Sequence, residues 1–389
     1  MEPVTHLLTG ACLSRAGFNR KAAYATLTMV IAAEFPDIDT LWSLRGPIEG
    51  FQHHRGITHT FLGLPLEAAL IVVGVYGFHR WRLARAKRTT TPRMKALTTA
   101  PVRWGVLYGL ALVALLSHLL LDYTNNYGLR PFFPFNDHWY AASIVFIFDP
   151  VMFVLLLGAL IAPWLFGLVS AEVGAKKRPF HGRGWAIAAL IGIVGWWGLR
   201  TVEHQRAIQV AMTQSMAEPT PTNTPASNEP SAMQANDTAP AVPVYLPVRK
   251  ALASPDMLSP FRWSAVMDFG PVYRLAEIDT IGSTLTMGET TYPKPGRSAV
   301  VLAAERSKLG RVYMDWSPMP FVEVTKPDSE LASGTGSGPD AVANVVTFRD
   351  PRFMGGWLED AGRQPLVGIV KLDAQNHVVE ESMDGQVEP

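Results

Sequence analysis

The sequence predicts two parts, an α-helical membrane domain followed by a small β-rich soluble domain of the α+β class. Two observations predict this fold class. Long apolar runs are confined to residues 1–205, whereas the rest of the chain has the composition of ordinary soluble protein. Charged residues are also only 17% of the 389 residues, against about 25% in a typical soluble protein.

The N-terminal part begins with two short apolar segments, Val4–Leu13 and Ala22–Phe35. Neither reaches the roughly 20 apolar residues that a membrane-spanning helix needs. Interrupted helices of this kind are tolerated where protein, rather than lipid, surrounds the backbone. We therefore expect a re-entrant or short-helix hairpin at the N-terminus.

Four further apolar segments predict membrane spans. They run from about Phe61 to Phe78, Trp104 to Leu121, Ala141 to Val169 and Gly184 to Leu199. Each approaches or exceeds the length that crosses a bilayer. The membrane domain is therefore expected to comprise residues 1–205, with four spans after the hairpin.

Basic residues in two loops predict the orientation of these spans. The loop between the first two spans contains Arg80, Arg82, Arg85, Lys87, Arg88, Arg93, Lys95 and Arg103, and the loop between the last two contains Lys176, Lys177, Arg178 and Arg183. Loops rich in Lys and Arg stay in the cytoplasm. We therefore expect a multi-pass protein of the bacterial inner membrane whose chain leaves the fourth span on the outer side.

The C-terminal part is predicted to be a linker and an extracytoplasmic domain. Residues 206–250 are rich in Pro, Ala, Ser and Thr, which is typical of a flexible linker. Residues 251–389 alternate apolar and polar positions between turn sequences, which predicts a β-rich domain with one helix near residues 298–307. Its core should include Trp263, Trp316 and Trp357.

Composition excludes two classes of site. A net charge of +1 argues against nucleic-acid binding, because nucleic-acid-binding domains usually carry a strong basic excess. Cys12 is the only cysteine, so neither a disulfide framework nor a cysteine-based zinc site is expected.

Histidines and aspartates at the outer ends of the predicted helices form the main candidate site. On a helix, His118 and Asp122 share one face because they are four residues apart. The predicted topology brings three further groups to the same outer level, namely His6, the pair Asp37 and Asp39, and the pair His54 and His59. Imidazole and carboxylate ligands suit Zn²⁺, with Mn²⁺ or Fe²⁺ as alternatives, and these residues are numerous enough for one or two ions.

Each group alone has a simpler interpretation. A histidine at the membrane boundary is commonly just an interfacial polar residue, and Pro-Asp-x-Asp is often a turn or a helix cap. The pair His118 and Asp122 could be joined by a hydrogen bond without any metal. Only the combination of the four groups favours a metal centre.

Two charged residues extend the hypothesis. Asp149 lies within an apolar segment, where an ionisable residue is expensive and so a candidate ligand; alternatively, it is a hydrogen-bond partner at a kink beside Pro150. Arg55 could hold a phosphate or carboxylate oxygen of a substrate, or it could pair with Asp37 or Asp39.

These motifs resemble those of a known family. The residues His6, Pro36-Asp37-x-Asp39, His54-Arg55-Gly56-x-Thr58-His59, Ser117-His118-x-x-x-Asp122, Asn125-Asn126-Tyr127-Gly128 and Asp149-Pro150 resemble the family of bacterial membrane-bound, predicted metal-dependent hydrolases typified by the LexA-regulated inner-membrane protein YdjM. The resemblance covers about residues 1–200 and implies metal-dependent hydrolysis at the membrane, with these His and Asp positions as ligands.

Three functions remain open on the sequence alone. The leading hypothesis is a hydrolase in which a metal-bound water attacks an ester or phosphoester of a lipid or lipid-linked substrate, with Asp122 and Arg55 as catalytic residues. The ligand set is similar to that of zinc-dependent phospholipases C, which implies a phosphoester. In the second, the His/Asp cluster is structural and the outer domain binds a partner. The third is a transporter, which the sequence supports least because no inverted repeat is visible.

Overall fold

The computed structural model describes residues 1–86, 101–172, 182–217, 245–294, 296–327, 341–354 and 365–389. Much of both basic loops, including Lys87, Arg88, Arg93, Lys95 and Lys176–Arg178, therefore lies outside the described residues. The helices of the N-terminal half are α1 (Pro3–Arg15), α2 (Ala25–Glu34), α3 (Pro47–His53), α4 (Gly63–Ala86), α5 (Trp104–Thr124), α6 (Pro150–Glu172) and α7 (Arg183–Met212).

The predicted N-terminal pair of short helices is present as α1 and α2. The Glu2 carboxylate accepts hydrogen bonds from the backbone N–H groups of Val4 and Thr5, which caps α1. Helix α2 ends at Glu34, and the chain continues through Pro36 in a 3-10 helical segment, Phe35–Arg45. This tighter segment carries both aspartates of the Pro-Asp-x-Asp motif.

Fewer helices meet the requirements for a membrane span than the sequence predicts. Among the described residues, α5 and α7 are long and apolar enough, and α3 and α4 together form a third candidate that is bent by 84°. Helix α6 contributes a shorter apolar stretch, Pro150–Leu165. The described helices therefore support two or three spans by length and composition.

The third predicted span starts too early in the chain. Helix α6 begins at Pro150, not near Ala141. The preceding residues instead pair with the end of α5, because Ala142 N–H donates to Tyr123 O at 2.7 Å and Ile144 N–H donates to Thr124 O at 2.9 Å. The first part of the apolar segment is therefore a return loop and not helix.

The predicted linker, 206–250, is shorter than expected at its N-terminal end. Helix α7 continues to Met212 as one helix of 30 residues. Strands β1 (Ser215–Ala217) and β2 (Tyr245–Pro247) then form an antiparallel pair. Residues 218–244 lie outside the described residues.

The C-terminal half contains two antiparallel sheets, which agrees with the predicted β-rich domain. The first has the order β3 (Lys250–Pro255), β4 (Arg262–Asp268), β5 (Val272–Asp279) and β6 (Thr284–Pro293). The second has the order β11 (Gln386–Val387), β10 (Val378–Met383), β9 (Gly368–Leu372), β8 (Asn344–Arg349) and β7 (Phe321–Thr325). Helices α8 (Ala299–Arg306) and α9 (Lys308–Trp316) join them, and α8 matches the predicted helix.

The two sheets have separate cores. Trp263 packs with Ala207 and Ala211 of α7 against the four-stranded sheet. Trp316 lies in a second core, which joins the five-stranded sheet to residues of the N-terminal half, including Phe51 and Tyr127. Trp357 lies outside the described residues. Two of the three predicted core tryptophans are therefore buried, in different cores.

Candidate metal centre

Helix α5 provides the first two candidate ligands. His118 and Asp122 are both fully buried, four residues apart, and His118 Nε2 lies 3.4 Å from Asp122 Oδ2. A helix places residues with this spacing on one face. The residues that follow α5 turn back at Asn125, so the pair lies at the end of an apolar helix.

Two loop residues complete a cluster of four. His59 comes from the short 3-10 helix Ile57–His59, and Asp37 from the 3-10 helical segment after α2. His59 Nε2 is 3.3 Å from Asp37 Oδ1 and 3.3 Å from Asp122 Oδ2. One ligand atom from each of Asp37, His59, His118 and Asp122 can be chosen so that all four lie within 4.8 Å of one another.

The polar atoms of this cluster fit a bound cation. The Nε2 atoms of His59 and His118 face each other at 3.1 Å. Buried Asp122 Oδ2 has no hydrogen-bond partner among the described residues, although both imidazoles lie near it. Buried polar groups are rarely left unpaired. Two imidazole nitrogens and two carboxylates around one point are a ligand set suited to Zn²⁺ and similar divalent ions.

Both histidines are oriented through their other ring nitrogen. His118 Nδ1 donates to the carbonyl oxygen of Ala33 at 2.7 Å, which leaves Nε2 as the metal-binding atom. His59 Nδ1 lies 3.1 Å from Asp39 Oδ2. Metal-binding histidines typically donate their second N–H to a carbonyl or a carboxylate in this way.

Asp39 is therefore placed behind the ligands and not among the four. Its Oδ2 also accepts hydrogen bonds from Arg55 N–H at 2.8 Å and Thr58 Oγ1–H at 3.1 Å, and its Oδ1 lies 3.2 Å from His54 Nδ1. Burial favours a higher pKa for Asp39, but the hydrogen bonds with His54 and His59 outweigh it and hold the pKa well below its usual value. The Asp39 carboxylate thus orients the loop that carries His54 and His59.

His6, which the sequence offered as a ligand, lies beside the cluster of four. Its ring stacks on that of His118 with 3.8 Å between centroids, and its Nε2 is 3.4 Å from Asp122 Oδ1. Neither ring nitrogen of the buried His6 has a hydrogen-bond partner among the described residues. The amino group of Met1 also contacts Asp122 Oδ1. His6 is thus available as a further ligand next to the four.

Arg55 pairs with a different carboxylate from those considered on the sequence. Its Nη2 donates to Asp122 Oδ1 at 2.9 Å, and its Nη1 donates to Gly128 O at 2.7 Å. The residue is buried and has a φ of 55°, in the left-handed region that non-glycine residues seldom adopt. Uncommon backbone conformations of this kind concentrate at functional sites.

Asp149 lies outside the cluster that its sequence position had suggested. Its Oδ1 accepts the backbone N–H of Met152 at 3.0 Å, which caps the start of α6. Its Oδ2 accepts Trp196 Nε1–H at 3.0 Å and lies 3.7 Å from Arg200 Nη2. These contacts correspond to the alternative interpretation, a hydrogen-bond partner beside Pro150.

Glu67 is a residue near the site that the sequence analysis did not single out. It is 5% exposed, and its Oε2 has no hydrogen-bond partner among the described residues. It lies close enough to His59 and His118 to interact with them electrostatically. The available indication was a lone carboxylate within an apolar helix, which is the same argument that drew attention to Asp149.

Comparisons with known proteins cover the part of the chain that contains the cluster. Residues 1–207 match the family described as YdjM inner membrane protein, and this stretch contains the whole His/Asp cluster. The chain is also 27% identical, over 175 residues, to the "Uncharacterized protein YfhP" of Bacillus subtilis (strain 168), an alignment that covers 43% of this chain and 47% of that protein. The chain thus spans about half the length of that relative. No solved structure matches the chain.

Proposed function

The chain belongs to the YdjM inner membrane protein family, and from this premise we propose that it is a membrane-bound metal-dependent hydrolase. Its substrate is an ester, and more specifically a phosphoester, of a lipid or a lipid-linked molecule. The observation that carries the proposal is the buried cluster of Asp37, His59, His118 and Asp122, whose ligand atoms lie within 4.8 Å of one another.

The four residues of the cluster would hold the ion, with Zn²⁺ as the first candidate and Mn²⁺ or Fe²⁺ as alternatives. When bound, such an ion polarises a phosphoryl or carbonyl oxygen and lowers the pKa of bound water toward neutrality. His118 is fixed by Ala33 O and His59 by Asp39, so neither imidazole has to reorient before it binds the ion.

Asp122 and Arg55 are the proposed catalytic residues. Asp122 Oδ2 faces the two imidazoles, whereas Oδ1 accepts the hydrogen bond from Arg55. In the proposal, Asp122 would accept the proton that the attacking water loses during hydrolysis. A guanidinium group is also a strong donor to phosphate oxygens, so Arg55 would bind the group that is attacked.

The proposed location is the outer boundary of the inner membrane, with a multi-pass helical half and an extracytoplasmic C-terminal half. Large apolar side chains that the protein leaves exposed support helices in contact with lipid, and they include Leu66, Leu70, Val73, Val154, Ile191 and Val194. The basic loops support the orientation. A site at this boundary suits a substrate with a polar head group and an apolar tail.

Metal content of the purified protein tests the first step of the proposal. We expect one or two equivalents of Zn or Mn in the full chain, and loss of the metal in both His59→Ala and His118→Ala. His53→Ala is the matched control, because His53 is partly exposed and pairs with Glu49 outside the cluster. A folded wild-type protein that binds no metal would support the alternative, a non-enzymatic protein with a structural polar network.

Hydrolysis of a phosphoester panel tests the second step. We expect Asp122→Asn to lower kcat/KM by about 10²–10⁴-fold, the usual contribution of a general acid or base. His53→Ala again serves as the control and should keep full activity. Activity that is unchanged in Asp122→Asn would contradict the proposed role of this carboxylate.

A further inference from the structure

A cavity separates the metal centre from the C-terminal half. Its volume is about 500 Å³, within the range of roughly 300–1,000 Å³ that is usual for small-molecule sites. His54, Arg55 and Tyr127 of the membrane half line one side. The opposite side belongs to the C-terminal half and includes Phe353, Leu366, Met383 and Gln386. Both halves of the chain therefore form the wall.

The C-terminal side of this cavity is held firmly against the membrane half. Trp316 Nε1–H donates to Tyr127 O at 3.1 Å, and Arg352 Nη1–H donates to Asn126 O at 2.6 Å, both in buried surroundings. The Glu388 carboxylate accepts the backbone N–H of Ile48 at 2.8 Å. Since an unpaired buried polar group is costly, opening this interface would be unfavourable. The wall is thus a fixed part of the site.

One aromatic residue connects the wall to the proposed catalytic residues. The Tyr127 ring lies 4.9 Å from the Trp316 ring and 4.8 Å from the Arg55 guanidinium. Arg55 in turn donates to Asp122. The four candidate ligands do not line the cavity, but Arg55 does, and its guanidinium group connects the cavity to Asp122.

The lining contains one arginine, Arg55, and one aspartate, Asp384, together with several apolar side chains. Arg55 brings a positive charge to the lining, and its buried Nε has no hydrogen-bond partner among the described residues. Away from Arg55, the lining contains apolar side chains from both halves, namely Phe51, Ile147, Phe353, Leu366 and Met383. An anionic group at Arg55 with an apolar chain toward the sheet matches this distribution.

We propose that this cavity is the substrate site and that the C-terminal half selects phosphoesters carrying an apolar group. This inference rests on the proposed hydrolase function and gives that site its substrate class. The family match ends at residue 207, so the part of the apolar wall formed by Phe353, Leu366 and Met383 lies outside the matched region. The selectivity is therefore a property that the C-terminal half adds to the metal centre.

Binding of two soluble probes to the full chain in lipid nanodiscs tests the inference. Hexyl phosphate and inorganic phosphate would be titrated by calorimetry into the wild type and into Leu366→Trp and Gln386→Trp. Either indole would occupy the space for the hexyl chain. We expect hexyl phosphate to bind about tenfold more weakly to both variants, because burial of each CH₂ group contributes to affinity. Binding of inorganic phosphate should change little.

The control is Val379→Trp, because Val379 lies on β10 like Met383 but is exposed and does not line the cavity. It should bind both probes as the wild type does. Equal affinity for hexyl phosphate in all three variants, or a wild type that does not prefer hexyl phosphate to inorganic phosphate, would overturn the inference.

The two proposals fail differently. If the cavity variants lose hexyl phosphate binding and the wild type shows no hydrolysis, the binding site is supported and the hydrolase function is contradicted. If both cavity variants keep full metal-dependent hydrolysis and unchanged hexyl phosphate binding, the hydrolase function is supported and the selectivity of the C-terminal wall is contradicted.

Discussion

At the scale of single residues, the candidate metal centre is supported by Asp39, a carboxylate that is not among its four candidate ligands. Asp39 accepts the Arg55 N–H at 2.8 Å and lies 3.1 Å from His59 Nδ1. It thereby fixes both the uncommon backbone conformation of Arg55 and the direction of the His59 ring. Partners of this kind contribute to metal affinity because they orient the ligand before the ion binds.

Asp39→Asn should therefore weaken metal binding without unfolding the protein. The expected loss of affinity is about 10–100-fold, which is typical when a partner of a metal-binding histidine is changed. Competition with a chromophoric chelator would measure it. Asp137→Asn is the control, since Asp137 is exposed and is not part of the cluster. Equal affinities in the two variants would show that Asp39 does not orient His59.

The sequence predicts most of these residues but not their roles. The positions of His59, His118 and Asp122 at the ends of apolar segments indicated that these residues could come together, and the structure places them within one cluster. The periodicity of a sequence does not reveal whether a carboxylate at the end of a helix contacts the helix itself or a neighbouring side chain. The sequence therefore offered both Asp39 and Asp149 as candidate ligands, although Asp149 caps α6 and Asp39 contacts His59.

At the scale of elements, the close contact between α1 and α2 supports the site. A Cβ atom on Gly10 would lie 2.7 Å from both Ala33 Cβ and Met29 O, so only glycine permits this approach. The carbonyl of the same Ala33 accepts the hydrogen bond from His118 Nδ1. The helix contact and the orientation of a ligand therefore share one residue.

Gly10→Val should consequently affect both stability and metal binding. Forcing extra atoms into a packed contact destabilises by about 1–3 kcal/mol, and the displacement of α2 should also reduce metal content. Thermal unfolding in nanodiscs and elemental analysis would measure the two effects. Gly109→Val in α5 is the matched control, because no atom lies within 4 Å of a Cβ at Gly109. Similar results for both variants would argue against the role of this contact.

The element boundaries show what hydropathy cannot resolve. Residues 141–169 form one apolar stretch in the sequence, yet its first part pairs with the end of α5, and α6 starts only at Pro150. Hydropathy averages composition and does not detect hydrogen bonds between distant residues. Likewise, small apolar residues such as Ala207 and Ala211 continue α7 into the stretch predicted as a linker.

At the scale of the whole molecule, the C-terminal half is docked and not merely tethered. Ile48 and Tyr127 of the membrane half share a core with Val346 and Phe348 of the five-stranded sheet. The sequence predicted a β-rich domain after a flexible linker but gave no contact surface between this domain and the membrane half. The contacts come from scattered positions without a common period, so no local pattern indicates them.

The orientation of the protein can be tested by labelling one position in the C-terminal half and one position near the end of α4. The basic residues after α4 predict that this end faces the cytoplasm, so the C-terminal half and the metal centre should face outward together. Cys12 is the only cysteine and is buried, which leaves a low background for labelling with a membrane-impermeant maleimide. Val379→Cys, in the C-terminal half, and Ala84→Cys, near the end of α4, are both at exposed positions.

We expect Val379→Cys to be labelled in intact spheroplasts and Ala84→Cys only after lysis. The wild type should remain unlabelled throughout, which controls for Cys12. Labelling of Ala84→Cys alone in intact spheroplasts would reverse the topology and place the metal centre on the cytoplasmic side. Since the interface holds the sheet to the membrane half, such a result would move the proposed substrate cavity to the inner leaflet together with its apolar wall.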